Sequence, residues 1–173
     1  MELQFLEFLE SIHSPVLDKF MIFITSLGNG GIIWIILALI IFFQKNKRDK
    51  REGLTLIFGL IIFSIIGLLI LKPLIGRPRP YEVYDFNLLI NKPMGSSFPS
   101  GHTGSSFATA WGIFHFNKKE GIFALILACL IGFSRMYLSV HYPTDVLAGI
   151  VVGILSSIGA RTLVKKFVYK TTS

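Results

Sequence analysis

The chain has 173 residues, of which 52% are hydrophobic and only 16% charged, and its mean hydropathy is +0.65. Apolar residues this abundant, gathered in blocks instead of alternating with polar ones, exclude a disordered chain and an ordinary soluble domain and indicate a membrane protein. The formal net charge is +7, but most of the basic residues cluster in flanks beside the apolar blocks, where they orient helices, so the charge gives no argument for a nucleic-acid partner.

Met1 to Ile12 sets Leu3, Phe5, Leu6, Phe8 and Leu9 against Glu2, Glu7 and Glu10 before His13-Ser14-Pro15 interrupts the run. That pattern predicts a short amphipathic helix lying on the membrane surface. Phe20 to Phe43 is the first long apolar block, and "LGNGG", Leu27 to Gly31, breaks it near its middle. One kinked span and two short helices both fit. Gly53 to Leu71 follows, then a loop from Pro73 to Pro99. Thr103 to Phe116 is weaker, because it carries Thr103, Ser105, Ser106, Thr109 and His115. Its Gly104, Ala108 and Gly112 recur every four positions and would let a neighbour approach closely, so it reads as a span facing protein more than lipid. Gly121 to Leu138 and Val146 to Val164 complete the set, the last repeating the small-residue spacing at Gly149, Gly153 and Ser157.

Each long block comes near the roughly 20 residues that a bilayer core demands of a helix. The fold expected is all-α: an integral membrane bundle of five to six transmembrane helices with an N-terminal amphipathic helix, forming one domain over residues 1–173. The acidic N-terminus lacks the basic region of a removable signal peptide. The single cysteine, Cys129, leaves no intramolecular disulfide to form.

Five of the seventeen Lys and Arg fall in Lys45 to Arg51, "KNKRDKR"; Lys118 and Lys119 lie two connections further on, and Arg161, Lys165, Lys166 and Lys170 are C-terminal. Alternating spans put all of these on one side, which the positive-inside rule makes cytoplasmic. Lys72, Arg77, Arg79, Lys92 and Arg135 then face outward against the usual bias. An anionic ligand on the outer face would account for them.

Three short motifs meet at that end. In "KPLIGRPRP", Lys72 closes a span and Arg79-Pro80 follows seven residues on. In "FPSGHTGSS", Pro99, Ser100 and Gly101 form a turn and His102 begins a helix. Backbone amides at such a start make an anion site by geometry and dipole, with Ser100 also suited to be its N-cap. In "SRMYLSVHYPTD", Arg135 ends one helix, and His141 and Asp145 flank Pro143, which can open the next. There Asp145 could accept from one ring nitrogen of His141 and leave the other free as a base or nucleophile. Cations and backbone donors around an imidazole describe a phosphoryl-transfer site. Cys129 to Arg135 matches the Cys-x5-Arg spacing of cysteine-dependent phosphatases, but the intervening residues continue an apolar span and nothing there except Arg135 would lower a thiol pKa.

In order and internal spacing, Lys72 with Arg79-Pro80, Pro99 to His102, and Arg135 with His141 and Asp145 resemble the type 2 phosphatidic acid phosphatase superfamily of membrane lipid phosphatases. The resemblance covers roughly Lys72 to the C-terminus. It implies that His141 attacks phosphorus and becomes a transient phosphohistidine, that Asp145 holds its tautomer, and that His102 protonates the leaving oxygen and later helps activate water. It assigns Lys72, Arg79, Arg135 and the residues Ser100 and Gly101 to the phosphate oxygens. No metal or other cofactor is expected, and the outer loops offer only Glu82, Asp85 and Asp145 as carboxylates, too few for a two-metal clamp. Arg77 and Tyr81 are expected to meet headgroups or solvent.

The function expected is hydrolysis of a phosphate or pyrophosphate monoester on a lipid, with undecaprenyl pyrophosphate favoured and phosphatidic acid or phosphatidylglycerol phosphate as alternatives. The setting expected is a bacterial inner membrane with the site on its extracytoplasmic face. The partners expected are the lipid phosphate and membrane lipids, without nucleic acid; the oligomeric state stays open. From outside that class, a transporter or binding protein for lipid phosphate is the rival. Transport would place ionisable groups near the midplane at broken helices, and here they gather at one end.

Overall fold

The structure, a computed structural model, describes residues 1–44 and 47–168, so Lys45 and Lys170 of the basic flanks lie outside the described residues. Helix α1 covers Glu2–Ser11 and α2 covers Pro15–Leu27. Pro15 opens α2 because its fixed φ and missing N–H suit a first helical position. The first apolar block then breaks where Gly30 and Gly31 take φ of 59° and 67°, values that a helix cannot use and only glycine adopts cheaply. Helix α3, Ile32–Phe43, resumes beyond a tight turn over Asn29–Gly31.

Helix α4, Lys47–Phe63, widens into π-type turns over Ser64–Leu71 before the short α5, Lys72–Ile75. Pro73 accounts for the widening, since it has no N–H for the Leu69 carbonyl and its ring would strike that group in α-geometry. After α6, Pro80–Val83, an irregular stretch leads to α7, Gly101–Phe116. Asn117 then caps α8, Lys118–Tyr137, by accepting from the amides of Lys119 and Glu120. Helix α9, Pro143–Leu163, ends the regular bundle. No strand occurs among the described residues.

Helix α7 is the central post. Its residues from Thr103 to Ala110 are all buried, as its small-residue spacing predicted. The hydroxyls inside that buried stretch are satisfied locally: Ser106 donates to the His102 carbonyl and Thr109 to that of Ser105, which lets polar residues sit in a membrane core. Against it, α9 packs so closely that a Cβ on Gly153 would come 2.5 Å from the Gly104 carbonyl oxygen. Among the described residues four helical runs are long and apolar enough to cross a membrane, Pro15–Phe43, Lys50–Val83, Lys118–Tyr137 and Pro143–Phe167, and the 16-residue α7 is enclosed by them. Their outer faces expose Ile36, Ile40, Ile65, Leu69, Phe123, Leu147 and Leu155. Such a belt belongs in lipid, and the protein is a multi-pass membrane protein.

The first block forms one kinked span, not two. Gly28 lies against His102 and Ile131, Gly31 against Ser105, Trp34 Nε1 donates to Ser106 Oγ at 2.9 Å, and Ala38 packs with Leu56 and Ile113. Contacts therefore step down α7 in order as the chain proceeds through α2 into α3. With α4 and α8 running opposite to α7 and α9, the described basic flanks fall at one end of the bundle and all three chemical motifs at the other.

Candidate active site

Each motif reaches the site because a helix ends or begins there. The N-termini of α7 and α9 are tied together, the Ser100 amide donating to the Asp145 carbonyl at 3.0 Å. The turn after α8 is folded back onto its own helix, with the amides of Val140 and His141 both bonded to the Arg135 carbonyl. Lys72 sits where the π-type turns give way to α5, and Arg79 is the residue before α6.

His141 is 2% exposed and Asp145 fully buried. The two ring nitrogens of His141 have different neighbours. Arg79 Nη1 lies 3.3 Å from Nε2, and a guanidinium can only donate, so Nε2 carries the lone pair and the ring proton rests on Nδ1. Nδ1 faces Asp145 Oδ2 at 3.6 Å, too long for a direct hydrogen bond. Ser97 Oγ fills part of that gap, 3.4 Å from Nδ1, while donating to the same Oδ2. Asp145 Oδ2 also accepts from the Tyr142 amide at 2.8 Å, and Oδ1 accepts from Arg77 at 2.8 Å. Burial pushes the His141 imidazole down to about 3, and the Arg135 and Arg79 charges push the same way against the opposing pull of Asp145. At neutral pH the ring is uncharged with its Nε2 lone pair in place, the form a nucleophile needs.

His102 faces the same cavity across from His141, and its Nε2 lies 2.9 Å from Asn29 Oδ1. The break at "LGNGG" therefore has a local purpose: it turns Asn29 toward His102, and Gly28 leaves room for the ring, since a Cβ there would meet His102 Cδ2 at 2.8 Å.

Between these histidines is a cavity of about 300 Å³ whose polar wall is Lys72, Arg79, Arg135, Gly101, His102 and His141. Its other wall is apolar, from Ile35 on α3 and Leu60, Phe63 and Leu68 on the α4 run. A wider cavity of about 800 Å³, under the segment from Leu88 to Met94, shares His102 and Arg135 with the first. Arg79 is fixed by backbone carbonyls: Nε donates to Gly95, Nη1 to Val140 and Nη2 to Met94. Arg135 donates from Nη1 to Thr25 Oγ1 at 2.6 Å, whereas its buried Nε has no hydrogen-bond partner among the described residues. Converging cations with unspent donors, beside a neutral imidazole, can bind the nonbridging oxygens of a phosphate and offer it a nucleophile.

Of the residues singled out from sequence, Lys72, Arg79, Gly101, His102, Arg135 and His141 line the cavity, and Asp145 stands behind His141. Ser100 is elsewhere. It is fully buried, its amide is spent on Asp145, and its Oγ accepts from the Thr103 amide and hydroxyl as the N-cap of α7. Arg77 meets neither headgroup nor solvent as its main partner but bonds Asp145, Thr144 and Glu2, and Tyr81 donates to the Pro93 carbonyl. Cys129 is exposed and lines apolar grooves on α8, away from the histidines. Sequence reasoning passed over Ser97, Asn29 and Thr25. Only the Asn29 position carried a signal, the interruption of an otherwise unbroken apolar run.

Comparison with known proteins identifies the family. Residues 52–169 match the PAP2 superfamily. The undecaprenyl-diphosphatase BcrC of Bacillus subtilis (strain 168) is 36% identical over 147 residues, spanning 84% of this chain and 74% of that protein. Phosphatidylglycerophosphatase B of the same organism is 34% identical over 160 residues, spanning 83% and 73%. The crystal structure of Aquifex aeolicus LpxE superposes with a TM-score of 0.81 at 29% identity, covering 93% of this chain and 94% of that one. A family match over more than half the chain, joined to a membrane bundle with a cationic cavity at one end, places this protein in the PAP2 superfamily as a membrane phosphatase of lipid phosphates.

Proposed function

We propose that the protein removes the terminal phosphate of undecaprenyl pyrophosphate at the extracytoplasmic face of a bacterial inner membrane, by way of a phosphohistidine on His141. The observation that carries the mechanism is the orientation of His141, with Nε2 toward the cationic cavity at Arg79 and Nδ1 toward Ser97 and Asp145. Nε2 attacks phosphorus, an N–P bond forms, and the P–O bond to the lipid phosphate breaks as His102, protonated once the bound phosphate offsets the cations around it, gives that proton to the leaving oxygen and returns to the neutral ring. Water then attacks the phosphohistidine with His102 taking its proton, the N–P bond breaks, and inorganic phosphate departs. Lys72, Arg79 and Arg135 with the Gly101 amide hold the nonbridging oxygens and offset the charge of the trigonal-bipyramidal transition state. Metal ions have no step in this route.

Two observations favour a long polyprenyl chain. The cationic groups share their cavity with an apolar wall from α3 and α4, of which Ile35 is also 45% exposed, and similarity to a named undecaprenyl-diphosphatase extends over most of the chain. The similarity to a phosphatidylglycerophosphatase supports a second reading, in which a glycerophospholipid monoester is the substrate. The outward orientation rests on the basic flanks lying at the end remote from the site.

The test is phosphate release by purified protein in detergent micelles with excess chelator, supplied in parallel with undecaprenyl pyrophosphate, phosphatidylglycerol phosphate and phosphatidic acid. Chelator-resistant release, lost in His141→Ala and fastest with the first lipid, is expected. Faster turnover of phosphatidylglycerol phosphate would transfer the assignment to the second reading, and full activity in His141→Ala would overturn the histidine mechanism.

A further inference from the structure

Arg77 and Glu2 have no place in the chemistry above, yet they are the most completely bonded ion pair at the catalytic end. Arg77 Nη1 donates to Asp145 Oδ1 at 2.8 Å and to Thr144 Oγ1 at 2.6 Å, and Nη2 donates to Glu2 Oε2 at 2.8 Å. Glu2 Oε1 closes the ring by accepting from the Thr144 amide and hydroxyl, at 3.0 and 2.7 Å. The guanidinium lies 3.8 Å over the Tyr142 ring. Glu2 belongs to α1, and Leu6 and Leu9 of that helix are buried against Tyr142 and Phe86, so α1 is held in place independently of its acidic end.

We propose that Arg77 and Glu2 are positioning residues for Asp145, making the amphipathic helix α1 a working part of the active site. Neither residue lines the cavity, so neither touches the phosphate. They act through Asp145. Its Oδ2 is held by Ser97 and the Tyr142 amide, but for the fully buried Oδ1 Arg77 is the one side-chain donor identified. Removing Arg77 leaves that oxygen unbonded in a dry site and frees the carboxylate to turn away from His141. Glu2 has a different task. As Nε2 forms its bond to phosphorus the imidazole ring becomes cationic, and the Asp145 charge stabilises it. Arg77 alone would cancel that charge. With Glu2 on the other side of the guanidinium, the Glu2, Arg77 and Asp145 group carries one net negative charge, which remains available to the ring.

The proposal rests on the phosphatase reading with His141 as nucleophile, and the experiment separates the two. kcat, KM and melting temperature are measured in micelles for the wild type, Glu2→Gln, Arg77→Gln, Arg77→Lys and Glu7→Gln, with His141→Ala as the null enzyme. Glu2→Gln keeps the shape but loses the charge and one of two acceptor oxygens, both of which are in use. Its kcat is expected to fall about 10-fold and that of Arg77→Gln up to about 100-fold, by analogy with residues that orient the ligands of catalytic metals, with KM and melting temperature unchanged. Arg77→Lys restores part of the loss, since it keeps the charge but not the fork. Glu7→Gln, exposed on the same helix, matches the wild type. A Glu2→Gln enzyme with wild-type kcat overturns the proposal, as does a loss confined to KM or one tracking a lower melting temperature; should Arg77→Gln fail to fold, Glu2→Gln decides alone. A wild type that releases no phosphate, or a His141→Ala enzyme as active as wild type, would instead sink the underlying mechanism.

Discussion

Ser97→Ala isolates one oxygen on which the proposed mechanism depends. Ser97 is fully buried and does not line the cavity, so its removal leaves substrate contacts intact. What it loses is the donor to Asp145 Oδ2 and the oxygen 3.4 Å from His141 Nδ1. A hydrogen bond to a charged group contributes about 1.5–3 kcal/mol. Because the Tyr142 amide and Arg77 still hold Asp145, the lower end of that range applies, and about 1.5 kcal/mol in the transition state is about tenfold in rate. The Asp145 oxygen stands 3.6 Å from Nδ1 and would have to shift by roughly half an ångström to take over the ring proton. Steady-state phosphate release in micelles is therefore expected to show kcat about tenfold down with KM preserved, the pattern of an interaction strengthened in the transition state. A kcat within about threefold of wild type, in protein of unchanged melting temperature, would refute the idea that Ser97 couples Asp145 to His141.

Asn29→Ala removes the partner of His102 Nε2 and is expected to lower kcat by about tenfold, the low end for a lost orienting partner; lower phospholipid binding with normal kcat would argue against it. His141, whose folded pKa is depressed to about 3, binds a proton in the unfolded chain below about pH 6.5 but not in the folded one, so stability is full above pH 6.5 and declines as pH falls toward 3. At pH 5 this costs about 2 kcal/mol, and the stability of His141→Gln should drop by that much less than wild type between pH 7 and pH 5 in denaturation curves; parallel curves would show that the ring is not held neutral. Gly153→Ala places a methyl 2.5 Å from the Gly104 carbonyl oxygen, and the separation of α7 from α9 that follows should destabilise by about 1–3 kcal/mol, read as a lower melting temperature in detergent.

The span pattern was legible because lipid-facing helices must be apolar along their length, and the buried α7 was legible from its Gly, Ala and Ser spacing even though it is polar. The short motifs also carried their own placement: Pro80 and Pro143 each stand at a first helical position, which puts Arg79 and Asp145 at helix starts. What local sequence could not carry was pairing between distant segments. Asn29 and His102 are 73 positions apart, and Glu2 and Thr144 are 142 apart; nothing near either member of a pair names the other. Ser100 illustrates a second limit. Its type and position suit both an N-cap and a phosphate donor, and only the packing of α9, which supplies the Asp145 carbonyl to its amide, decides how that amide is used. Arg77 is the converse case, a cation that the backbone directs onto Asp145 behind His141 instead of into the cavity.

The same geometry explains why so many cations are tolerated at one end of a membrane bundle. Arg79 is 3% exposed and Arg135 2%, and burying such groups without partners would cost several kcal/mol each. Neither guanidinium is paired with a carboxylate among the described residues. Arg79 is held instead by the carbonyls of Met94, Gly95 and Val140, which satisfy its donors while cancelling only partial charge. Carbonyls leave the net positive field in the cavity; a carboxylate would have neutralised it and repelled a phosphate. Of the carboxylates close by, Glu82 accepts from the Arg79 backbone amide, and Asp145 is placed behind His141, where Arg77 with Glu2 encloses its other oxygen. The charge of Asp145 thus lies behind the imidazole while those of Arg79 and Arg135 line the cavity, a field suited to the proposed attack of Nε2 on a phosphate dianion and to the cationic ring that attack would form.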